Sequence, residues 1–194
     1  MNILKTYGLA CVLLIGSQIT AAPKPSNITI EKLAHNGSGC TKGSKVELAE
    51  ANSSEQIKLE IEGFDVSTQK RVTRKNCVVG FSVEKPKGWQ FAVNRLETHL
   101  SVSLEESAKA RLTVNSYFQG EKANSRFEQK WQGPLKKELD INQTKNGNDL
   151  VWSNCGQTAV LNTNTAVLVR GASANVKLKQ KIYWHFIWRQ CQTK

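Results

Sequence analysis

The sequence predicts an all-β fold, namely a two-sheet antiparallel β-sandwich of jelly-roll type that is stapled by disulfides. Three observations lead to this prediction. Apolar and polar residues alternate along most of the chain, whereas apolar residues at helical spacing are rare. Segments rich in Gly, Pro and Asn separate these alternating runs. Four cysteines remain once an N-terminal export segment is set aside, and an even number in an exported chain indicates disulfides.

The alternation is clearest near the C-terminus, where one strand face collects large apolar side chains at even positions. These are Val176, Leu178, Ile182, Trp184, Phe186 and Trp188. Because a strand places successive side chains on opposite faces, we expect these residues to share a buried face. The opposite face begins with lysines, so we expect it to meet water at its start and to be buried towards its end.

Further strands are predicted wherever the same alternation recurs between turn signals. They cover Ile28–Leu33, Ile57–Phe64, Cys77–Val83, Phe91–Leu104, Leu112–Phe118, Arg126–Trp131, Leu139–Ile141, Leu150–Trp152, Thr158–Leu161 and Ala166–Val169. A single helical turn is expected at Glu105–Ala110. About ten short strands with regular turns are typical of a β-sandwich.

The first residues have the layout of a secretory signal peptide. Lys5 precedes an apolar run, Gly8–Gly16, that is too short to span a bilayer, and small residues follow it. We expect residues 1–21 to be removed by cleavage after Ala21. The alternative is a lipoprotein signal with Cys11 as the lipidated residue.

The rest of the chain is predicted to be a flexible lead, 22–27, followed by a single β-sandwich domain, 28–194. No second apolar segment of membrane length follows, so no transmembrane segment is expected in the mature chain. Removal of the signal, whose only charge is Lys5, changes the net charge from +11 to 11 − 1 = +10. Such an excess favours anionic partners, although it also keeps an exported protein soluble.

The four remaining cysteines are Cys40, Cys77, Cys155 and Cys191. Of the three possible pairings we predict Cys40 with Cys77 and Cys155 with Cys191, because each then closes a loop within its own half of the chain. The competing hypothesis is a zinc site, but no two of these cysteines have the spacing that such sites use.

Basic residues cluster at three places and are the candidate anion-binding groups. They are Lys70, Arg71, Arg74, Lys75, Lys85, Lys87, Lys177, Lys179 and Lys181. The last three form a ladder along one strand face, with steps of about 7 Å that suit an extended polyanion. An edge strand protected by lysines from aggregation would show the same pattern, and the sequence favours that interpretation for the ladder.

Four cysteine-bearing motifs, in order and spacing, resemble those of domain of unknown function 4360, a family of small exported proteins. The motifs are "NGSGCTKGS" at Asn36–Ser44, "RKNC" at Arg74–Cys77 followed by "KPKGWQFAV" at Lys85–Val93, "VWSNCGQTAVLNTNT" at Val151–Thr165, and "WHFIWRQC" at Trp184–Cys191. The resemblance spans nearly all of the mature chain. It implies that the four cysteines are shared family positions, which supports the disulfides, and it implies no activity.

The sequence offers few groups for catalysis, and we expect no metal or other cofactor. His185 stands between two aromatic residues, and His35 and His99 suit surface or packing positions. The sequence therefore favours a secreted, extracellular or periplasmic, non-enzymatic binding module for a polyanion or polysaccharide surface. The alternatives are an inhibitor or toxin-like protein that binds a protein target through loops near Cys40 and Cys77, and a hydrolase that uses His185.

Overall fold

A computed structural model describes residues 24–53, 55–69 and 71–192, and describes only the backbone at 49–53, 69 and 180. The signal peptide predicted at 1–21 lies outside these ranges, as do Lys70 and the first two residues of the lead.

Eleven strands make up the described chain, together with one short 3-10 turn at Gly147–Asp149 and no α-helix. They are β1 Thr29–Asn36, β2 Val46–Ser53, β3 Gln56–Ile61, β4 Asp65–Gln69, β5 Val72–Glu84, β6 Trp89–Leu104, β7 Lys109–Phe118, β8 Asn124–Gln132, β9 Leu135–Thr144, β10 Thr158–Arg170 and β11 Ser173–Gln190. Sheet A has the order β1-β5-β10-β7-β8. Sheet B has the order β2-β3-β11-β6-β9, and β4 also pairs with β11. All neighbours are antiparallel, which confirms the predicted two-sheet sandwich.

The core lies between the two sheets and forms one contiguous cluster. Trp184 from β11 is fully buried and meets Phe81 from β5 edge to face, with ring centroids 6.1 Å apart. The even face of the C-terminal strand is therefore buried as predicted. The opposite face is not, since Tyr183, His185 and Ile187 are only half-buried.

The last two strands form the middle of both sheets. β10 lies between β5 and β7, while β11 lies between β6 on one side and β3 and β4 on the other. Gly171 turns the chain from one sheet to the other with a φ of 111°, and a Cβ there would lie 2.7 Å from the Cα of Ala108. Only glycine fits that corner. The predicted edge position of the lysine-bearing strand is thus wrong, because β11 is central.

Several element predictions need correction. β2 and β4 were not predicted, because neither contains a sustained apolar alternation. Thr158–Leu161 and Ala166–Val169 are parts of one continuous strand, β10. Leu150–Trp152 is no strand, and Trp152 makes one isolated bridge to Ala92. The helical turn predicted at Glu105–Ala110 is wrong, because Glu105–Ala108 forms a turn closed by a 3.0 Å hydrogen bond from the Ala108 amide to the Glu105 carbonyl, and the next two residues belong to β7.

Two disulfides join the strands, in agreement with the predicted stapled fold. Cys40 is bonded to Cys77 and is fully buried, whereas Cys155, bonded to Cys191, is exposed. The first ties the loop after β1 to β5, and the second ties the loop before β10 to the end of β11.

Candidate binding face

The outer face of sheet A brings cations together from three strands. In the antiparallel register, Arg170 of β10 stands opposite Lys109 of β7, and Arg111 of β7 stands opposite Lys130 of β8. These four side chains line a groove of about 430 Å³, which we call the basic groove. Ala110, Trp131, Gln132 and Leu168 complete its lining. Arg74 of β5 lies opposite Leu168, which in turn lies opposite Arg111. Arg74 therefore extends the row that contains Arg111 and Lys130.

Like charges that face each other across strands repel, and most of those in the basic groove are not neutralised. Within the described part of the chain, no carboxylate lies within 4 Å of Lys109, Arg111 or Arg170. Lys130 alone is paired, at 2.7 Å from Glu128. The basic groove therefore carries uncompensated positive charge.

Glu128 marks the boundary of the basic groove. Its carboxylate accepts hydrogen bonds from Lys130 and Arg126, and these two contacts lower its pKa from 4.5 to about 2. The carboxylate is thus ionised at any physiological pH.

Further along the same face the cations give way to amides. In the register of sheet A, Asn164, Asn115 and Arg126 form one row, and Asn162, Tyr117 and Asn124 form the next. We call the five residues Asn115, Tyr117, Asn124, Asn162 and Asn164 the amide patch. A second groove, of about 380 Å³, lies over this patch and is lined by Asn115, Tyr117, Asn124, Asn164, Arg126, Glu121 and Lys122.

The outer face of sheet B carries the predicted lysine ladder, on the opposite side of the sandwich. Lys179 lies 3.4 Å from Glu138, and Lys181 lies 3.8 Å from Glu60. Lys177 is exposed. Two of the three ladder lysines are therefore neutralised by neighbouring strands.

The two other notable groups on sheet B are histidines held by charged partners. Nδ1 of His99 lies 2.6 Å from Asp140, and Nε2 lies 3.1 Å from Glu138. The hydrogen bond with Asp140 is the main reason that the pKa of His99 is raised above 6.5. His185 is half-buried and contacts Arg95 at 3.1 Å and Glu97 at 3.4 Å.

These histidines form no recognisable catalytic or metal centre. Among the residues that the structure describes, no hydroxyl or thiol is hydrogen-bonded to His185. Nor does this part of the chain group three His, Cys, Asp or Glu side chains so that they could hold a metal ion. It likewise contains no helix long and apolar enough to cross a membrane.

The other cations predicted for anion binding are dispersed. Lys85 is buried and donates to the carbonyls of Asn154, at 3.1 Å, and Gly156, and burial lowers its pKa. It therefore stabilises a loop and is not presented to a ligand. Lys87 is exposed in the turn after β5, beyond the strand end at Glu84, which lies roughly 33 Å along the strand from Arg74.

Arg74 is the one predicted cation in the row of the basic groove. Lys75 follows it on the opposite face of β5 and is half-buried. Arg71 is exposed at the turn before β5, where its backbone contacts the Thr68 hydroxyl. The other cations of the groove were missed because they are far apart in sequence. The pair Lys109 and Arg111, two positions apart on β7, was the only local signal.

A model of the family described as "Domain of unknown function (DUF4360)" matches residues 26–191. The chain belongs to this family. A relative of the DUF4360 chain, described as an "Uncharacterized secreted protein" of Arthroderma benhamiae, is 26% identical over 187 residues. The match covers 88% of this chain and 74% of the relative.

Two solved structures match about four fifths of this chain with low identity and low TM-scores. The first, TmCBM61 in complex with β-1,4-galactotriose, is 15% identical with a TM-score of 0.27, and the match covers 80% of this chain and 88% of the other. The second, a family 11 carbohydrate-binding module from Clostridium thermocellum in complex with a mixed-linked tetrasaccharide, is 9% identical with a TM-score of 0.23, covering 82% and 96%. Scores this low assign no ligand to the DUF4360 chain.

Proposed function

We propose that this DUF4360 chain is an exported, non-catalytic binding module that holds an anionic polymer in the basic groove of sheet A. The observation that carries the proposal is the facing pair Lys109 and Arg170, which has no carboxylate within 4 Å among the described residues. A bound anion supplies the missing countercharge and relieves the repulsion.

The chemistry of the basic groove suits carboxylate, sulfate or phosphate groups. Arg111 and Arg170 each present a planar fork of N–H donors that matches two oxygens of such a group. Neighbouring strands are about 4.8 Å apart, so the cations from Arg74 to Lys130 span about 15 Å across the sheet. A linear polymer with repeated negative charges meets several of them at once.

Export is supported by two independent facts. Disulfides persist in oxidising compartments, and the chain has two of them. The relative from Arthroderma benhamiae is described as secreted. We therefore propose that residues 1–21 are a cleaved signal, that 22–27 form a short lead, and that 28–194 act as one domain outside the cell or in the periplasm.

Two triple variants that lose the same charge from opposite faces test the proposed function. K109Q/R111Q/R170Q removes the uncompensated cations of the basic groove, and K177Q/K179Q/K181Q removes the lysine ladder. Binding of each to inorganic polyphosphate is measured by titration calorimetry at several salt concentrations, because this probe carries charge without any sugar or base.

For the wild type and the ladder variant, we expect the logarithm of the binding constant to fall linearly with the logarithm of the salt concentration. The groove variant should lose most of that affinity, and its salt slope should be smaller by roughly 2 to 3, since each lost contact accounts for about 0.7 to 0.9. Equal losses of affinity in both variants would mean that binding depends on net charge alone and not on the basic groove, which would overturn the proposal. Undiminished binding by the groove variant would also overturn the proposal.

A further inference from the structure

The basic groove and the amide patch lie on one continuous surface. Both belong to the outer face of sheet A. The row between them contains the short side chains Ala166 and Thr113, which are opposite each other in register, and Glu128, which is opposite Thr113 and is paired with Arg126 and Lys130. From Arg111 to Tyr117 along β7 the surface measures about 20 Å. A polymer that leaves the basic groove over Ala166 and Thr113 would therefore reach the amide patch.

A chain of hydrogen bonds connects the two regions. Arg74 Nη1 donates to Asn76 Oδ1 at 3.4 Å, and Asn76 Nδ2 donates to Asn164 Oδ1 at 3.4 Å. These contacts occupy the amide oxygen of Asn164. Its Nδ2 group has no partner within the described ranges and lines the groove over the patch. The patch thus keeps an N–H donor available for a ligand oxygen.

The remaining residues of the patch offer the same kind of contact. Asparagine presents an acceptor and two donors in one plane, which fits pairs of neighbouring hydroxyl groups. Asn162 lies over Gly80, where a Cβ would approach its Oδ1 to 3.2 Å, so the absence of a side chain at position 80 leaves room for this amide. Asn115 and Asn124 line the groove beside it.

Tyr117 adds an apolar surface to this set of amides. It is 37% exposed and is the one aromatic residue among the exposed large apolar side chains of the described chain. An aromatic ring with a wet edge packs against the C–H face of a sugar ring while its hydroxyl stays hydrogen-bonded to water or ligand. Proteins that bind single-stranded nucleic acids instead stack successive bases on several aromatic side chains.

Resting on the anion-binding function above, we infer that the polymer is an acidic polysaccharide. Its carboxylate or sulfate groups lie in the basic groove, and its hydroxyl groups meet Asn115, Asn162 and Asn164. One of its rings packs on Tyr117. Negative charge alone explains binding in the groove, whereas the amide patch is complementary to neutral hydroxyl groups of the same chain.

Y117A/N164A tests the inference, and Y183A/N142A is the matched control because it removes the same two side-chain types from the outer face of sheet B. Affinities are measured for polygalacturonate, dextran sulfate, inorganic polyphosphate and a (dT) oligonucleotide of equal charge. We expect Y117A/N164A to weaken binding of at least one polysaccharide about tenfold and to leave polyphosphate binding within about twofold. The control should change neither.

The outcomes separate the two proposals. If no anionic polymer binds the wild type, the proposed function fails. If polyphosphate binds but Y117A/N164A leaves both polysaccharides unaffected, only the polysaccharide inference is overturned. If the oligonucleotide binds the wild type more tightly than the polysaccharides do, and Y117A/N164A loses that binding, the occupant is a nucleic acid and the polysaccharide inference is overturned too. Should the double variant fail to fold by circular dichroism, Y117A alone serves, because truncation of an exposed side chain is tolerated.

Discussion

Lys109 and Arg170 lie directly opposite each other in the register of β7 and β10, and both line the basic groove. Directly opposed like charges destabilise an antiparallel sheet by an amount comparable to the 0.2–1 kcal/mol that favourable pairs contribute. Arg111 and Lys130 repeat the arrangement one row further on. Sheet A thus tolerates repulsion between cations in the basic groove, and a bound anion would remove this repulsion.

Removal of one charge of this pair should stabilise the protein while it weakens ligand binding. We expect R170Q to raise the free energy of unfolding by about 0.2–1 kcal/mol because the repulsion from Lys109 is lost, and to reduce polyphosphate affinity. Urea denaturation and calorimetry measure the two effects. K177Q, at an exposed position on the opposite face, should change stability by no more than about 0.5 kcal/mol. A destabilised R170Q would contradict this account.

Glu128 should limit the affinity of the basic groove. Its carboxylate pairs with Lys130 and Arg126, so we expect E128Q to tighten polyphosphate binding about twofold to fivefold, because the change frees Lys130 and removes a negative charge beside the basic groove, although exposed pairs of this kind are weak. E84Q is the control, because Glu84 is exposed at the other end of β5. Unchanged or weaker binding by E128Q would refute the prediction.

The same carboxylate gives a direct pH readout. Because the pKa of Glu128 is lowered from 4.5 to about 2, its pairing stabilises the fold above pH 4.5, and this stabilisation is lost as the pH falls through about 2. NMR titration of its side-chain carbonyl should give a midpoint near 2 in the wild type. K130Q should move the midpoint upward, since Lys130 is the main cause of the shift.

His99 should titrate in the opposite sense. The raised pKa of its ring means that its contacts with Asp140 and Glu138 stabilise the fold fully below pH 6.5, and that this contribution is lost as the pH rises through the folded-state value. NMR titration should place the midpoint above 6.5, and D140N should bring it back towards 6.5. A midpoint at or below 6.5 in the wild type would contradict the geometry.

The two disulfides should differ in their effect on stability. Each closes a loop of similar size, with sequence separations of 37 and 36 residues, which corresponds to roughly 4 kcal/mol in the chain-entropy model. Cys40 and Cys77 are buried, so C40A/C77A should also lose core packing and be the less stable variant. Guanidinium denaturation compares it with C155A/C191A. Equal losses would mean that loop closure alone matters.

The strand pattern and the two-sheet architecture were predictable because one face of most strands is apolar and the other polar. The failures have the same origin. β10 was split because Asn162 and Asn164 alternate with Thr163 and Thr165, and a run of four polar residues resembles a loop. In the fold the two threonines are buried and the two asparagines point outward, where they form part of the amide patch.

Most of the candidate site could not be predicted from the sequence. Lys109, Lys130 and Arg170 are separated by 20 or more positions, and only the register of β7 with β8 and β10 brings them together. The lysine ladder was visible as a local pattern, yet its neutralising partners, Glu60 and Glu138, come from two other strands. Clusters of charge along the sequence therefore pointed to the outer face of sheet B, where neighbouring carboxylates neutralise the lysines, and not to the basic groove of sheet A.

The position of β10 and β11 at the middle of both sheets has a consequence for biosynthesis. Until Thr158–Gln190 leaves the ribosome, β5 lacks its neighbour β10 in sheet A, and β6 lacks its neighbour β11 in sheet B. Neither sheet can close around its core before then, and such late, long-range pairing makes folding slow. Late closure would keep the nascent chain unfolded for longer, which would suit the export proposed above.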